Sequence, residues 1–201
     1  MSPRGELQNE RMRAEAVEKI TAAALSVFAE YGYAGATMKR IAERAGLSYG
    51  LVYHYFPSKA DVFRSLVDFA LESTIAGMQM VLSQPGTAWE RLERWSEVLI
   101  PNALAGASSR YFLVMLQAMT QARTIPGLLE HINERTAVYF QTLAPVIREA
   151  QQSGDAVDGD PEVLATAFLS FLQGLALFVF HREELAKSVT PEMLISVLRK
   201  R

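Results

Sequence analysis

Apolar side chains return every three or four residues along almost the whole 201-residue chain, and no segment alternates with period two. That spacing predicts an all-helical protein, because a 3.6-residue turn brings such positions onto one face. Val17, Ile20, Ala24, Val27 and Phe28 mark a first helix over residues 16–31, with Gly32 as its left-handed cap. Thr37 caps a short second helix to about residue 44, with Met38, Ile41 and Ala42 facing inward and Gly46 ending it. Ser48 caps a third, which Pro57 stops because proline disfavours helical dihedrals in the residue before it. Ser58, with Asp61 in the capping-box position, opens a longer helix to about Leu82. After the turn Gln84-Pro85-Gly86-Thr87, helices are expected near 88–105, 109–122, 127–152, 161–182 and 191–199. Pro126, Pro161 and Pro191 stand where a first helical residue belongs, and Pro145 is expected to kink its helix. No long linker interrupts the pattern. The expected organisation is a small three-helix domain, residues 1–60, packed on a larger helical bundle, residues 61–201.

The second and third helices, joined by Ala45-Gly46-Leu47-Ser48, have the form of a helix-turn-helix. Val52, Tyr55 and Phe56 are spaced i, i+3, i+4 and form the inner stripe of the third helix. Tyr49, Gly50 and Tyr53 then lie outside, flanked by Leu51 and His54. A solvated face normally carries Glu, Lys and Gln. This one carries rings with polar tips and a glycine that weakens a helix by about 1 kcal/mol relative to alanine. Tyrosine hydroxyls and a histidine suit phosphate oxygens while their rings cover sugar, and the helix start at Ser48 suits an anion. Packing on a neighbouring helix, or service to another protein, is the plainer alternative. Lys59 adds weight to the first reading: it sits in the first turn of a helix, where the macrodipole disfavours a cation unless a phosphate lies between.

Net charge is −2, which by itself points to no strongly charged partner. Its distribution is less even: residues 1–60 hold eight Lys or Arg against six Asp or Glu, whereas residues 61–201 hold twelve against sixteen. The sign suits an N-terminal part that meets an anion. Arg4, Arg11 and Arg13 precede the first expected helix; a solvated, disordered tail is the favoured reading, with an arm onto the DNA backbone or minor groove as the alternative. The absence of cysteine excludes disulfides, thiolate metal sites and a cysteine nucleophile, and is compatible with the cytoplasm. The polar N-terminus is unlike a secretory signal. Residues 164–181 run without a charge but are marginal for a membrane span; a helix buried among others is preferred, with no membrane partner. No nucleophile elbow, phosphate loop or paired-carboxylate motif occurs, so neither an enzyme nor a cofactor is expected. Glu130, His131 and Glu134 lack a second histidine and make a poor metal site, and His181 reads as a solvated helix end.

The segment TMKRIAERAGLSYGLVYHYFPSKADVF, residues 37–63, resembles the helix-turn-helix signature of the TetR family of transcriptional regulators. The match covers about 45 residues; the rest shares only the family's general plan. The resemblance implies a homodimer whose third helices enter successive major grooves of a palindromic operator in double-stranded DNA. It implies phosphate contacts by Thr37, Tyr53, His54 and Lys59, with Ser48 at the helix start, and an approach to base edges by Tyr49 and Gly50. Leu51 departs from the small polar residue common there; it cannot hydrogen-bond a base but suits a thymine methyl. By the same resemblance the larger domain holds a cavity for a small-molecule effector. Its methionines and aromatics suit a lipophilic or aromatic molecule, with Trp95, Met115, Met119, Tyr139 and Leu143 the expected lining. Ala167, Ser170 and Gly174, small residues on one side of the uncharged helix, join Leu194 and Leu198 of the last helix as the expected dimer interface. The expected function is a ligand-released repressor. An activator of the same fold is the alternative, and a protein-interaction module or a cavity enzyme is a weaker one.

Overall fold

Caps and glycines, more than propensity, decide where these helices stop. A computed structural model describes residues 3–104 and 106–200; the side chains of residues 3–7, 106–109, 180, 181 and 183 are not described, so the expectations for Arg4 and His181 lie outside the described residues. The helices are α1 (Pro3–Gly35), α2 (Met38–Ala45), α3 (Tyr49–Tyr55), α4 (Lys59–Leu82), α5 (Ala88–Leu104), α6 (Gly106–Gln121), α7 (Leu128–Gln152), α8 (Pro161–His181) and α9 (Pro191–Ile195). Among the described residues the only extended pairing is a single bridge between Ala156 and Arg199. The chain divides into two compact units between Phe69 and Ala70, within α4 and nine residues beyond the boundary expected at residue 60.

In the first unit Thr37 Oγ1 accepts the Arg40 N–H at 3.2 Å and caps α2. Gly46 closes α2 in the left-handed region, φ 65° and ψ 30°, and sends its own N–H back to the helix. Ser48 then caps α3 through the Leu51 N–H. Ser58 and Asp61 form the reciprocal box that starts α4: the Ser58 hydroxyl donates to Asp61 Oδ2 at 2.7 Å and accepts the Asp61 N–H at 3.2 Å. Fully buried Phe28, Ile41, Val52 and Phe63 supply much of the core. Phe63 meets Phe28 and Tyr33 edge-on, each with centroids 4.9 Å apart, pairs worth about 0.5–1.5 kcal/mol beyond burial.

The helix α1 starts thirteen residues before the expected position, so Arg11 and Arg13 are exposed helical positions and not a disordered tail. Apolar periodicity reports burial; this extension has little to bury yet is rich in Glu, Arg and Ala, which favour a helix without a partner. The chain then kinks at Gly32, whose φ of 67° and ψ of 171° require glycine, although its ψ is not that of a left-handed helical cap.

The second unit centres on Trp95, Leu92, Leu143, Ile147 and Phe168, with Leu194 and Leu198 closing it from the chain's end. Pro161 and Pro191 do open helices, but Pro126 lies before Gly127, whose φ of 74° precedes α7. The last helix is one turn, not nine residues. Val157 N–H donates to Leu198 O at 2.8 Å and Lys200 N–H to Asp155 O at 3.0 Å, so the chain end pairs with the 153–160 loop instead of continuing helically. A 3₁₀ turn, Glu183–Ser188, was not anticipated. The apolar helix α8 buries one stripe only, Ala165, Phe168, Leu172, Ala176 and Val179. It is long and apolar enough to cross a membrane by length and composition, yet 28% of that window is buried, against the expectation of burial all round.

Replacing Gly46 by alanine is expected to destabilise the protein by about 1 kcal/mol, because a Cβ is strained at this left-handed position. Urea denaturation followed by circular dichroism checks this; an unchanged midpoint contradicts it.

Candidate nucleic-acid interface and effector cavity

With only seven residues, α3 turns Val52 fully inward and leaves Tyr55 and Phe56 half-buried beside it. Tyr49 is 53% exposed and Tyr53 39% exposed, on the outward side with Gly50 and His54. The two tyrosine hydroxyls share a hydrogen bond of 3.1 Å and their rings lie 4.6 Å apart. Two hydroxyls joined by one bond leave one O–H proton to donate outward. The bond to Tyr49 raises the Tyr53 pKa further above neutrality. A Cβ at Gly50 would meet nothing within 4 Å, so the fold itself has no need of glycine there. Leu51 is half-buried at the edge of this face.

Beside α3, Asn9, Met12 and Arg13 of α1 share with His54 and Tyr55 an open hollow of about 460 Å³. Asn9 and Met12 were not among the expected site residues; only the helical extension of α1 brings them here. Arg44 pairs with Glu30 at 2.7 Å. Arg40 lies 4.4 Å over the Tyr31 ring and donates to the Gly35 carbonyl, so both arginines tie α2 to α1.

Lys59 departs from its expected role. Its ammonium donates to the carbonyls of Tyr33 at 2.6 Å and Ala36 at 3.1 Å and lies 4.4 Å over the Tyr33 ring. Desolvation lowers its pKa. Two of its three N–H donors therefore hold the end of α1 in place, and at most one remains for a phosphate. The carbonyls freed at the kink after Gly32 give this cation a partner within the chain.

In the second unit five helices line a cavity of about 80 Å³: Ala70 and Thr74 of α4, Leu99 of α5, Tyr111 and Met115 of α6, Tyr139 of α7 and Leu172 of α8 are among its walls. None of the lining residues is charged. Met115, Met119 and Tyr139 were expected on this wall and are there. Trp95 and Leu143 are not: both are buried in the hydrophobic core, with the Trp95 ring 3.6 Å from where a Cβ of Gly77 would stand. The wall residues that sequence reasoning missed include Thr74, Thr136 and Gln173, polar positions on otherwise apolar faces.

Of the expected interface residues, Ala167 and Ser170 are exposed and Gly174 half-buried, on the side of α8 that also shows Val163 (64% exposed) and Phe178 (69% exposed). Ser170 and Gly174 floor a shallow groove of about 220 Å³ against Phe112, Leu113 and Leu116 of α6. A Cβ at Gly174 would also meet nothing within 4 Å. Leu194 and Leu198 are 0% exposed and belong to their own unit's core. They cannot present a face to a second chain, because the single-turn α9 is spent closing the unit on α5.

Residues 20–66 match the family model described as bacterial regulatory proteins, tetR family, which spans the kinked α1, the helix-turn-helix and the start of α4. A fatty acid metabolism regulator protein of Bacillus subtilis is 28% identical over 141 residues, covering 70% of this chain and 71% of that protein. The nucleoid occlusion factor SlmA of Sodalis glossinidius is 27% identical over 157 residues, covering 78% and 77%. A transcriptional regulator from Saccharomonospora viridis, solved in complex with choline, superposes with a TM-score of 0.74 at 25% identity, covering 94% of this chain and 100% of that one. Residues 20–66 of this all-helical chain thus carry the helix-turn-helix domain of the TetR family, and most of the chain's length resembles transcriptional regulators.

Proposed function

We propose that this chain is a cytoplasmic, homodimeric repressor that binds a palindromic operator through α3 and is released by a lipophilic small molecule in the cavity of the second unit. The observation that carries the DNA-binding part is Gly50. A helical glycine with open space around its missing side chain, set between two exposed tyrosines, is accounted for by a bulky partner that must come close. Tyr49, Tyr53 and His54 then meet phosphate and sugar, with Thr37 and Ser48 at their helix starts; Tyr49, Gly50 and Leu51 face the groove. Arg13 extends the basic side of this surface from α1. An occupied operator blocks transcription by exclusion.

The ligand-response part rests on α4, which contributes residues to both units and whose Ala70, Leu71, Thr74 and Ile75 form one wall of the cavity. A cavity volume of about 80 Å³ is small against the roughly 300–1,000 Å³ of typical ligand sites. A ligand therefore favours an expanded second unit, in which flexible Met115 and Met119 move aside and α4 shifts. It moves the DNA-binding equilibrium only by its preference for that state. The likeness to a fatty acid metabolism regulator supports an apolar effector. The exposed apolar side of α8, with Ala167, Ser170, Phe171, Gly174 and Phe178, is the proposed face for the second copy; Leu194 and Leu198 are not part of it.

Three measurements check this reading. Gly50→Ala raises stability by up to about 1 kcal/mol, since alanine is the better helix former and fits freely. It nevertheless weakens binding to a mixed duplex pool in fluorescence anisotropy, as does Tyr53→Phe by about tenfold, the lower end for one hydrogen bond to a charged phosphate. Wild-type affinity in both contradicts the α3 surface. Lys59→Met lowers the unfolding free energy by about 1–2 kcal/mol, because two carbonyls lose a charged donor. An unchanged urea midpoint with lost DNA binding would instead assign the ammonium to phosphate alone. Phe178→Asp yields a folded monomer at micromolar concentration in sedimentation velocity; a persistent dimer moves the interface elsewhere.

A further inference from the structure

Tyr139 belongs to the cavity wall, is 4% exposed, and its hydroxyl has no hydrogen-bond partner. The Trp95 indole N–H, in a ring 2% exposed, is also without one. Burial raises the Tyr139 pKa well above the usual phenol range, and the nearby Trp95 N–H partly opposes the rise, though the two groups do not meet hydrogen-bond geometry. Their chemistry is asymmetric. An indole N–H only donates, so its one available service is to the phenol oxygen. The phenol's own proton then still needs an acceptor. The two threonine hydroxyls of the wall do not compete for that acceptor, because Thr74 and Thr136 donate to Ala70 O and Ile132 O of their own helices, each at 2.8 Å; Tyr111 and Gln173 are the other polar side chains of the wall. An uncompensated buried donor is costly, so the site is incomplete without an acceptor.

The same wall bears on charge. It holds no Lys, Arg or His, so a carboxylate entering it loses its water and gains no cation in return. A carbonyl oxygen is the weaker acceptor but loses far less on leaving water, and it can still accept a hydrogen bond from the phenol. Building on the effector cavity proposed above, we infer that the ligand is an uncharged, apolar molecule carrying a carbonyl group, such as an ester, amide or ketone, whose oxygen accepts a hydrogen bond from Tyr139.

The test uses the full chain with Trp89→Phe, which leaves Trp95 as the sole indole of the two in the sequence. Three probes of similar size are titrated at pH 8 while Trp95 fluorescence is read: methyl hexanoate, hexanoate and heptane. The ester is expected to bind about tenfold more tightly than heptane, with hexanoate the weakest. Tyr139→Phe abolishes the advantage of the ester and leaves heptane unchanged. Because the hydroxyl it removes meets no hydrogen-bond geometry within the fold, this variant loses little thermal stability. Equal or tighter binding of hexanoate, or an ester-to-heptane ratio that survives Tyr139→Phe, overturns the inference while leaving the cavity reading intact. If none of the three probes perturbs Trp95, the inference and the cavity reading fall together.

Discussion

A helix of seven residues can turn only one stripe inward. That constraint governs the first unit. The left-handed Gly46 and the Ser48 cap start α3 abruptly, the Pro57 that follows prevents its continuation, and Val52 is the one side chain it buries completely. With Tyr55 and Leu51 half-buried beside it, the outward positions Tyr49, Gly50, Tyr53 and His54 are left free of the fold's demands. What occupies those free positions is therefore information about partners. Two exposed tyrosines, a histidine and a glycine with no steric reason are a costly choice for solvent and an apt one for a phosphate-lined groove. The rest of the unit serves to hold this short element still. The Phe28, Tyr33 and Phe63 rings lock α1 to the first turns of α4, and the Lys59 ammonium pins the kinked end of α1.

The second unit obeys a different logic. Its core is well filled around Trp95, Leu143 and Phe168, but five helices leave a small uncharged space beside it. A tightly packed core resists rearrangement, whereas a space walled by methionines can be reshaped at less cost, since their unbranched side chains adapt readily. That adaptability is what the proposed effector would draw on. The helix α4 runs through both units: its later turns wall the space, and its first turns place Phe63 in the first unit's core.

Local chemistry was legible in the sequence. Thr37, Gly46, Ser48 and the Ser58–Asp61 box each act within four residues of themselves, and each lies where its residue type and spacing place it. The outward face of α3 followed from a three-residue spacing for the same reason. Long-range choices were hidden. Nothing local tells that the Lys59 ammonium folds back 26 residues onto the Tyr33 carbonyl rather than standing free. Nor does the pattern at the chain's end disclose that its backbone pairs with the 153–160 loop, which shortens α9 and sinks Leu194 and Leu198 into the core. Trp95 and Leu143 show the same limit from inside. Periodicity identifies them as inward, but whether inward means core or cavity depends on neighbours from four other helices. The α1 extension was missed for the opposite reason: it is helical without having anything to bury.

The central claim is that paired copies of the α3 surface read duplex DNA. Selection of bound duplexes from a random oligonucleotide pool tests it most directly. The account predicts an enriched inverted repeat whose half-site centres lie about one helical turn apart, the spacing set by a twofold axis. Recovery of no common sequence, or of a single unpaired element, would contradict it.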